Sequence, residues 1–390
     1  MMNTSRIERK EYEIECLSPV HIGNGTVLKA FEYLYDRKEQ KVYFIDEGKW
    51  IRFLAHHDFL DSFSHYIQNI VTGKERRNVW QWLVDKNISD AELRGLGATV
   101  SALADTKRMK SSLNDIARTV TTAEGIPYIP GSSIKGILRT GILYHFIKSS
   151  RKLYNEEWQK FKNIILKNDS LNNKCKSDIV NLSSFIEKRI FEKLTKNETL
   201  DIMRGVLVSD AHCVQNIHSS LIVQKVDGTT KKNRNYKNEV PLPIYRECIQ
   251  VGARLRCFIS IDKQIMKEIG IFSISDILEM AKEFVQDGLE MQENVFGTRY
   301  SGAFSEAIRA NIILGGGTGF LTKSILYGLA PSKEEGRKIV SKYLDLSFPN
   351  KKAPHSYNDR EISPRTIKLG YIKNERKIMG LCHIYDIGEV

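Results

Sequence analysis

The sequence predicts an α+β protein made of two related halves, each enlarged by inserted helices. Short segments in which apolar and polar residues alternate are separated by longer segments in which apolar residues recur at helical spacing. A strand that runs through a glycine-containing turn into a helix is expected twice, near residues 126–147 and near residues 309–329. We therefore expect an N-terminal domain over residues 1–200 and a C-terminal domain over residues 201–390.

The N-terminal half is predicted to begin with strands at residues 11–17, 27–35 and 41–45. From residue 50 to residue 110 the apolar spacing is helical, and we interpret this segment as an all-helical insertion. Strands return at residues 116–121 and 126–129, followed by the sequence PGSSIKGILR, in which Ser132 or Ser133 is expected to cap a helix. Residues 151–200 form a second predicted helical insertion.

The C-terminal half is predicted to contain strands at residues 206–209, 219–226, 242–249 and 254–261, and then a helix at residues 275–292. A further strand at residues 309–314 leads into the sequence GGGTGFLTKSILYGL, which is expected to form a loop and a helix. Residues 366–372 and 378–387 are expected to close the domain as a hairpin around the turn KNER.

The charge balance favours a polyanionic partner. The chain has 59 lysine and arginine residues against 47 aspartate and glutamate residues, which gives a net charge of +12. No apolar run reaches the ~18 residues that a membrane span needs, and the N-terminal residues lack the apolar stretch of a secretory signal. The six cysteines include no C-x-x-C pair. We therefore expect reduced thiols, a cytoplasmic location and no membrane association.

The segment PGSSIKGILR combines three features that suit a phosphodiester backbone. A helix N-terminus leaves backbone N–H groups free, and Ser132 and Ser133 add hydroxyl groups. Lys135 and Arg139 are four residues apart, so both project from one face of the helix. The alternative is an ordinary solvent-exposed helix face with serine capping, and the residues alone do not separate the two.

The segment GGGTGFLTKS resembles a nucleotide-binding loop but lacks one of its required residues. Counted from Gly317, the spacing is G-x-x-x-x-T-K-S, with Thr322 in place of the glycine that precedes the lysine. A β-branched residue at that position hinders close wrapping of the backbone around phosphates, so NTP hydrolysis is disfavoured. A concave set of backbone N–H groups for an RNA phosphate, with Lys323 nearby, fits better.

The remaining candidates are weaker. His21 is counted among the RNA-binding candidates; it is either a general base for a ribose 2′-OH or a hydrogen-bonding partner of the loop backbone, and the sequence favours the second. Lys231, Lys232 and Arg234 lie in a polar segment, residues 225–237, that is either an RNA-following hairpin or an ordinary surface loop. Two histidine-containing clusters suit structural roles better than a metal site, so we expect no bound metal: His56, His57 and Asp58, and Asp210, His212, Cys213 and His218.

Taken in order, several motifs resemble those of the RAMP proteins of CRISPR effector complexes. They are SPVHIGNG at residues 18–25, IPGSSIKGILR at residues 129–139, LVSDA at residues 207–211 and GGGTGF at residues 315–320. The closing motifs PRTIKLG at residues 364–370 and MGLCHIYDIG at residues 379–388 narrow the resemblance to the fifth-subunit family of type III-A (Csm) complexes.

The resemblance implies two ferredoxin-like (RRM-like) domains whose glycine-rich loop and GSS-x-KG helix line a guide-RNA groove. By position it assigns RNA binding to Gly315, Gly316, Gly317, Thr318 and Gly319, and to Ser132, Ser133, Lys135 and Arg139. It also implies a subunit that binds crRNA, caps its 3′ end and assists its maturation without a cofactor. The implied partners are a neighbouring backbone RAMP subunit, the small helical subunit and recruited host nucleases.

One departure from the family pattern bears on catalysis. The backbone subunits of these complexes carry a catalytic aspartate between their first hairpin and the PGSS segment, but here the predicted helical insertion fills that region and Asp36 sits in a turn. We therefore expect a non-catalytic RNA-binding subunit. The alternative is a metal-independent RAMP endoribonuclease that cuts CRISPR repeat RNA with His21 as base. A third candidate, an NTP-dependent enzyme using residues 317–324, ranks below both.

Overall fold

The computed structural model describes residues 6–105, 113–194, 199–214, 220–230 and 239–389. Its strands are β1 (Ile7–Cys16), β2 (Gly23–Leu28), β3 (Tyr33–Asp36), β4 (Lys41–Ile45), β5 (Gly97–Leu103), β6 (Ile116–Thr119), β7 (Glu192–Leu194), β8 (Thr199–Asp201), β9 (Val206–Val208), β10 (His212–Cys213), β11 (Ser220–Thr229), β12 (Glu239–Ile249), β13 (Arg254–Asp262), β14 (Ile312–Ile313), β15 (Thr366–Ile372), β16 (Glu375–Ile378) and β17 (Leu381–Glu389).

Its helices are α1 (Glu47–His56), α2 (Leu60–Val71), α3 (Val79–Val84), α4 (Asp90–Gly95), α5 (Gly131–Ser149), α6 (Asn155–Lys167), α7 (Asn173–Phe191), α8 (Lys263–Met266), α9 (Ile274–Phe296), α10 (Ser301–Ala307), α11 (Leu326–Leu329), α12 (Lys333–Ser347) and α13 (His355–Asn358). Short 3₁₀ turns lie at Arg151–Tyr154, Ile202–Gly205 and Lys267–Ile269. None of the helices in the described ranges combines the length and apolarity needed to span a bilayer.

The first sheet is antiparallel and brings the two ends of the described chain together. Its order is β10–β13–β1–β17–β14, with β9 also paired to β13. The alternation in β1 buries Tyr12, Ile14 and Cys16 in the main core, as the sequence predicts. Taken along the chain as β1, α5, β9, β13, α9 and β17, these elements have the βαββαβ order of a ferredoxin-like unit.

The second sheet has nine strands in the order β2–β6–β12–β11–β5–β4–β3, with the β15–β16 hairpin attached to β11. Both sheets combine strands from either side of residue 200. The predicted domain boundary at residue 200 therefore does not coincide with the division into sheets. A second ferredoxin-like unit remains a prediction from the resemblance.

The first predicted helical insertion is only partly helical. Helices α1 to α4 are present and share an aromatic core that includes Trp50, Phe53, Trp80 and Trp82. The expectation of helix at residues 97–103 was wrong, because this segment is strand β5, paired with β4 and β11. Strand pairing on both sides outweighs its weak helical spacing. The second helical segment is present as α6 and α7, which are followed by the small β7–β8 hairpin.

The predicted closing hairpin was also wrong. β15 pairs with β16 around a turn at Lys373 and Asn374, both of which have positive φ, whereas β17 leaves this hairpin and pairs with β1 and β14. The chain crosses between the sheets at Gly380, whose φ of +81° and close approach to Leu314 O exclude a side chain. The predicted strand at residues 309–314 is reduced to β14.

Candidate nucleic-acid interface

The glycine-rich loop at residues 315–319 follows β14 and has an alternating backbone conformation. Gly315, Gly317 and Gly319 have φ values of +82°, +84° and +102°, which glycine adopts without steric cost, whereas Gly316 and Thr318 are not in this region. Such alternation directs successive N–H groups toward one concave side, as in anion-binding nests. Within the described residues, the N–H groups of Gly317 and Gly319 have no hydrogen-bond partner. These two donors are available to a ligand.

Two close contacts hold the loop in this shape. Gly316 N–H donates to His21 O at 2.7 Å, and a Cβ on Gly315 would lie only 2.2 Å from the same oxygen. On the other side, Leu314 N–H donates to Gly380 O at 2.9 Å. Thr318 is 2% exposed, and its buried Oγ1 has no hydrogen-bond partner among the described residues.

His21 is buried beneath the loop in its neutral form. Its Nδ1 donates to Glu247 O at 2.7 Å, and because a carbonyl only accepts, the ring proton lies on Nδ1 and Nε2 is left as an acceptor. Burial lowers the pKa of His21, and repulsion from Arg246 and Lys323 lowers it further, although the bond to Glu247 O opposes this. His21 thus has the hydrogen-bonding role that the sequence favours, with strand β12 as the ring's partner.

Four cationic side chains surround the loop, and we call them the cation cluster: Lys225 on β11, Arg246 on β12, Lys323, and Lys368 on β15. A Cβ on Gly317 would lie 3.0 Å from Arg246 Nη1, and a Cβ on Gly319 would lie 3.3 Å from Lys368 Cγ. In the described part of the chain only Asp227 pairs with this cluster, at 2.7 Å from Lys368 Nζ and 3.8 Å from Lys225 Nζ. Four cations and one carboxylate leave an excess of three positive charges.

The pKa values of the cluster reflect this crowding. Burial lowers the pKa of Lys225, Arg246 and Lys323, and repulsion from Arg246 adds to the effect for both lysines. A bound phosphate would offset this repulsion and stabilise the charged forms. The described residues therefore neutralise the cluster only in part, and a bound anion would stabilise it further.

Glu247 fixes the strand that carries Arg246. Its buried carboxylate accepts hydrogen bonds from Arg118 Nε at 2.7 Å, Ser220 Oγ at 2.7 Å and Thr119 N–H at 3.1 Å. Successive side chains of a strand point to opposite faces, so this network holds Glu247 on one face while Arg246 lies on the face of the glycine-rich loop.

The start of helix α5 differs from its prediction. The N-cap is Pro130, and the Gly131 N–H donates to Asp210 Oδ1 at 2.7 Å. The expectation that Ser132 or Ser133 caps the helix was wrong, because the capping carboxylate comes from a segment 79 residues away in sequence. Ser132 is exposed and Ser133 is half-buried. Asp210 thus occupies the position at which the sequence suggested an external anion.

The two cations of α5 have different surroundings. Arg139 Nη2 lies 2.8 Å from Glu187 Oε2 on α7, and its guanidinium lies 4.6 Å from the Phe191 ring centroid. Lys135 is half-buried and has no ion pair to a residue in the described ranges. Arg139 and Lys323 line one cavity of about 310 Å³, which connects α5 to the segment after the glycine-rich loop.

The structure thus brings together His21, the loop residues Gly315 to Gly319, Lys323 and, through the cavity, Arg139. Ser132 and Ser133 lie about two helical turns from Arg139 on α5. Lys231, Lys232 and Arg234 lie outside the described residues, as does His218.

Sequence reasoning missed Arg246 and Lys368 as site residues. The available signal was an arginine in the predicted strand at residues 242–249, among residues that the structure buries at Tyr245, Glu247 and Cys248. A cation in a largely buried strand is uncommon unless it has a partner or a function.

The other candidate nucleotide-binding, metal-binding and catalytic residues make contacts that are typical of structural roles. Residues 321–323 form a turn and α11 begins only at Leu326, so Lys323 does not sit at the helix start that a nucleotide-hydrolase loop requires. His57 Nε2 lies 2.9 Å from Glu92 Oε1, and buried Asp36 accepts from Arg94 Nη2 at 2.8 Å. Across the described ranges, no group of three or more His, Cys, Asp or Glu side chains is placed to hold a metal ion.

A family model described as the RAMP superfamily matches residues 13–321, a span that contains β1, α5 and the glycine-rich loop. The chain belongs to the RAMP superfamily. One curated RAMP relative is the CRISPR system Cms protein Csm5 of Streptococcus thermophilus, which is 25% identical over 320 residues, or 79% of this chain and 78% of that protein. Another is the protein of the same name from Enterococcus italicus, 22% identical over 368 residues, or 87% and 86% of the two chains.

Two solved structures share the fold of this RAMP chain. One is a chain in the cryo-EM structure of a Csm–crRNA–target RNA ternary complex in a type III-A CRISPR-Cas system, with a TM-score of 0.63, 19% identity and coverage of 97% of this chain and 100% of that one. The other is the crystal structure of T. onnurineus Csm5, with a TM-score of 0.58, 16% identity and coverage of 95% and 99%.

Proposed function

We propose that this RAMP protein is a non-catalytic, guide-RNA-binding subunit of a type III-A CRISPR effector complex, and that crRNA phosphates bind at the glycine-rich loop. One observation carries the proposal. The N–H groups of Gly317 and Gly319, unpaired within the described residues, lie beside a cation cluster with an excess of three positive charges. The curated relatives named Csm5 and the fold match inside a crRNA-containing complex support the assignment to this class.

The subunit's place in the complex follows from the same proposal. It binds the 3′ portion of the guide, caps that end and assists crRNA maturation, while recruited nucleases do the trimming. Its neighbours are a backbone RAMP subunit and the small helical subunit. Because backbone N–H groups and cations contact phosphates rather than base edges, the loop binds guides of unrelated sequence equally well.

Binding to the loop is tested through its salt dependence. Each phosphate contact to single-stranded RNA contributes about 0.7 to the slope of log affinity against log salt. Arg246→Ala in the purified protein should reduce that slope by about 0.7 for two RNAs of unrelated sequence. The matched control is Arg52→Ala, at an exposed arginine on α1, which should leave slope and affinity unchanged. A wild-type slope in Arg246→Ala would refute the phosphate site.

The alternative, a metal-independent endoribonuclease, is favoured by one observation, the neutral His21 ring with Nε2 left as an acceptor. His21 is only 6% exposed, however, which restricts the approach of a ribose 2′-OH. Incubation of the protein with CRISPR repeat RNA and a metal chelator separates the two functions. Specific cleavage that disappears in His21→Ala would establish the nuclease, and intact RNA in both samples supports the binding subunit.

A further inference from the structure

We propose that the cavity between α5, α7 and α12 binds one unstacked nucleobase of the RNA strand whose phosphates lie on the glycine-rich loop. The inference rests on the proposed function and adds a base-binding site to it. The cavity measures about 310 Å³, which is at the lower end of the range of small-ligand pockets and suits a ligand of the size of one base with its sugar.

The cavity is continuous with the phosphate site through Lys323. This lysine belongs to the cation cluster, where repulsion from Arg246 contributes to its lowered pKa, and it also lines the cavity with Ser324. A phosphate held by the cluster therefore brings the adjoining nucleoside to the cavity. Because the cation cluster adjoins the cavity at Lys323, the surrounding positive charge favours RNA as the occupant.

The walls offer both contacts that a nucleobase uses. Leu143, Phe161, Ile186 and Leu329 supply apolar surface, and the half-buried Tyr343, whose ring centroid lies 5.8 Å from that of Phe161, supplies an aromatic ring for stacking. Single-stranded RNA is commonly recognised through unstacked bases that contact aromatic rings in this way.

The Arg139–Glu187 pair supplies the polar edge of the cavity. The two side chains are 37% and 34% exposed, so each keeps hydrogen-bonding capacity beyond their mutual contact at 2.8 Å. Together they present guanidinium donors and a carboxylate acceptor side by side, which matches the mixed donor and acceptor edges of bases. This gives Arg139 a role distinct from the phosphate contact that the sequence suggested.

The test is a scan with abasic nucleotides in the shortest RNA that keeps full affinity, since a minimal length fixes the register. In the wild-type protein we expect one position at which removal of the base lowers affinity by roughly 5-fold to 150-fold, the range that loss of base stacking gives. Equal tolerance of an abasic nucleotide at every position would overturn the inference.

Ser183→Trp places a large side chain in the cavity wall on α7. We expect this variant to bind intact RNA more weakly and to lose the penalty at the sensitive position, because the base no longer enters. Val180→Trp is the matched control, since Val180 is 61% exposed on the same helix and outside the cavity, and it should behave as wild type. An unchanged penalty in a folded Ser183→Trp variant would refute the site.

The remaining outcomes of these experiments can be told apart. If Ser183→Trp fails to fold, Glu187→Gln replaces it and should reduce the same positional penalty. If wild-type protein and Arg246→Ala bind RNA equally, the proposed phosphate site is refuted. If Arg246→Ala weakens binding as expected but no abasic position lowers affinity, only the base-binding cavity is refuted. RNA binding that is intact in Ser183→Trp, with loss of a neighbouring protein subunit, would instead identify a protein occupant and refute this inference.

Discussion

Two turns of this protein are similar in sequence but differ in whether their backbone N–H groups are already hydrogen-bonded. The start of α5 and the loop after β14 each contain glycine and have a lysine a few residues later, although the strand predicted at residues 126–129 before α5 is reduced to isolated bridges at Pro127 and Ile129. At α5, the Gly131 N–H is paired with the carboxylate of Asp210. At the loop, the Gly317 and Gly319 N–H groups have no partner within the described ranges, and Arg246 lies against Gly317.

On the proposed function, the difference means that a glycine-containing turn binds an external anion only where the chain itself does not supply one. At the first turn, the carboxylate of Asp210, from a distant segment, already accepts the free N–H of the helix start, so no external anion is required there. The second turn is surrounded by cations that are themselves in excess. The motif predicts the backbone conformation of a turn, whereas the surrounding charges determine whether that turn can bind an anion.

The largest expected effect is at Gly317. Gly317→Val places a β-branched side chain at φ +84° and within 3.0 Å of Arg246 Nη1, so it displaces the guanidinium and blocks approach of a phosphate to the backbone. Loss of hydrogen bonds to a charged group predicts a decrease in RNA affinity of about tenfold or more. Filter binding with a fixed single-stranded RNA measures it.

Gly131→Ala is the counterpart at the other turn. A Cβ there would lie 2.3 Å from Val208 O, so the substitution should lower the free energy of unfolding by about 1–3 kcal/mol through overpacking. The fraction that remains folded should keep wild-type RNA affinity. A loss of affinity as large as that of Gly317→Val would remove the distinction between the two turns.

Asp210→Ala tests whether the carboxylate is what closes the first turn. Loss of the acceptor leaves the Gly131 N–H unpaired and should cost about 1 kcal/mol of stability, as for other helix caps, with little change in RNA affinity. Chemical denaturation and RNA titration measure the two quantities. An increase in RNA affinity would mean that this turn also accepts a phosphate once its own anion is removed.

Another test of the comparison concerns the side chains of Lys135 and Arg139 on α5. From the sequence alone, removing both should lower the salt slope by about 1.4, the value for two phosphate contacts. Because Arg139 is paired with Glu187, we expect Lys135→Ala alone to account for a decrease of about 0.7 and Arg139→Ala to add little to it. Titration of two RNAs of equal length at several salt concentrations decides. Equal contributions from both residues would contradict the pairing argument.

The smallest expected effect is a pH dependence from His21. Because its pKa is lowered in the folded protein from 6.5, the unfolded chain takes up the proton first as the pH falls. The contribution to stability is therefore complete above pH 6.5 and decreases below it until the folded pKa is reached. The free energies of unfolding of wild type and His21→Gln, measured by denaturation at several pH values, should converge as the pH falls. A constant difference between them would show that His21 does not titrate in this way.

Local patterns predicted much of the fold. The alternation in β1, the helix over residues 275–292 and the strand at residues 254–261 depend on burial periodicity, which is visible within one segment. Strand β5 and the transfer of β17 to the first sheet depend on partners from distant parts of the chain, which no local pattern contains.

The same reasoning explains the site. His21, the glycine-rich loop and Lys323 lie in recognisable motifs and meet in the structure. Arg246 and Lys368 reach the loop only through the register of β11, β12 and β15, and the Asp210 contact that satisfies Gly131 connects segments 79 residues apart. Charge pairing across such distances is set by tertiary structure and was therefore beyond sequence reasoning.

The pairing of β1 with β17 has a consequence for biosynthesis. The glycine-rich loop is held between His21 O and Gly380, and β17 follows Gly380 directly. During translation the loop therefore lacks one of its two supports until residues 379–389 have left the ribosome, long after the loop itself has emerged. On the proposed function, nascent chains should therefore be unable to bind RNA at this site until β17 has been inserted beside β1.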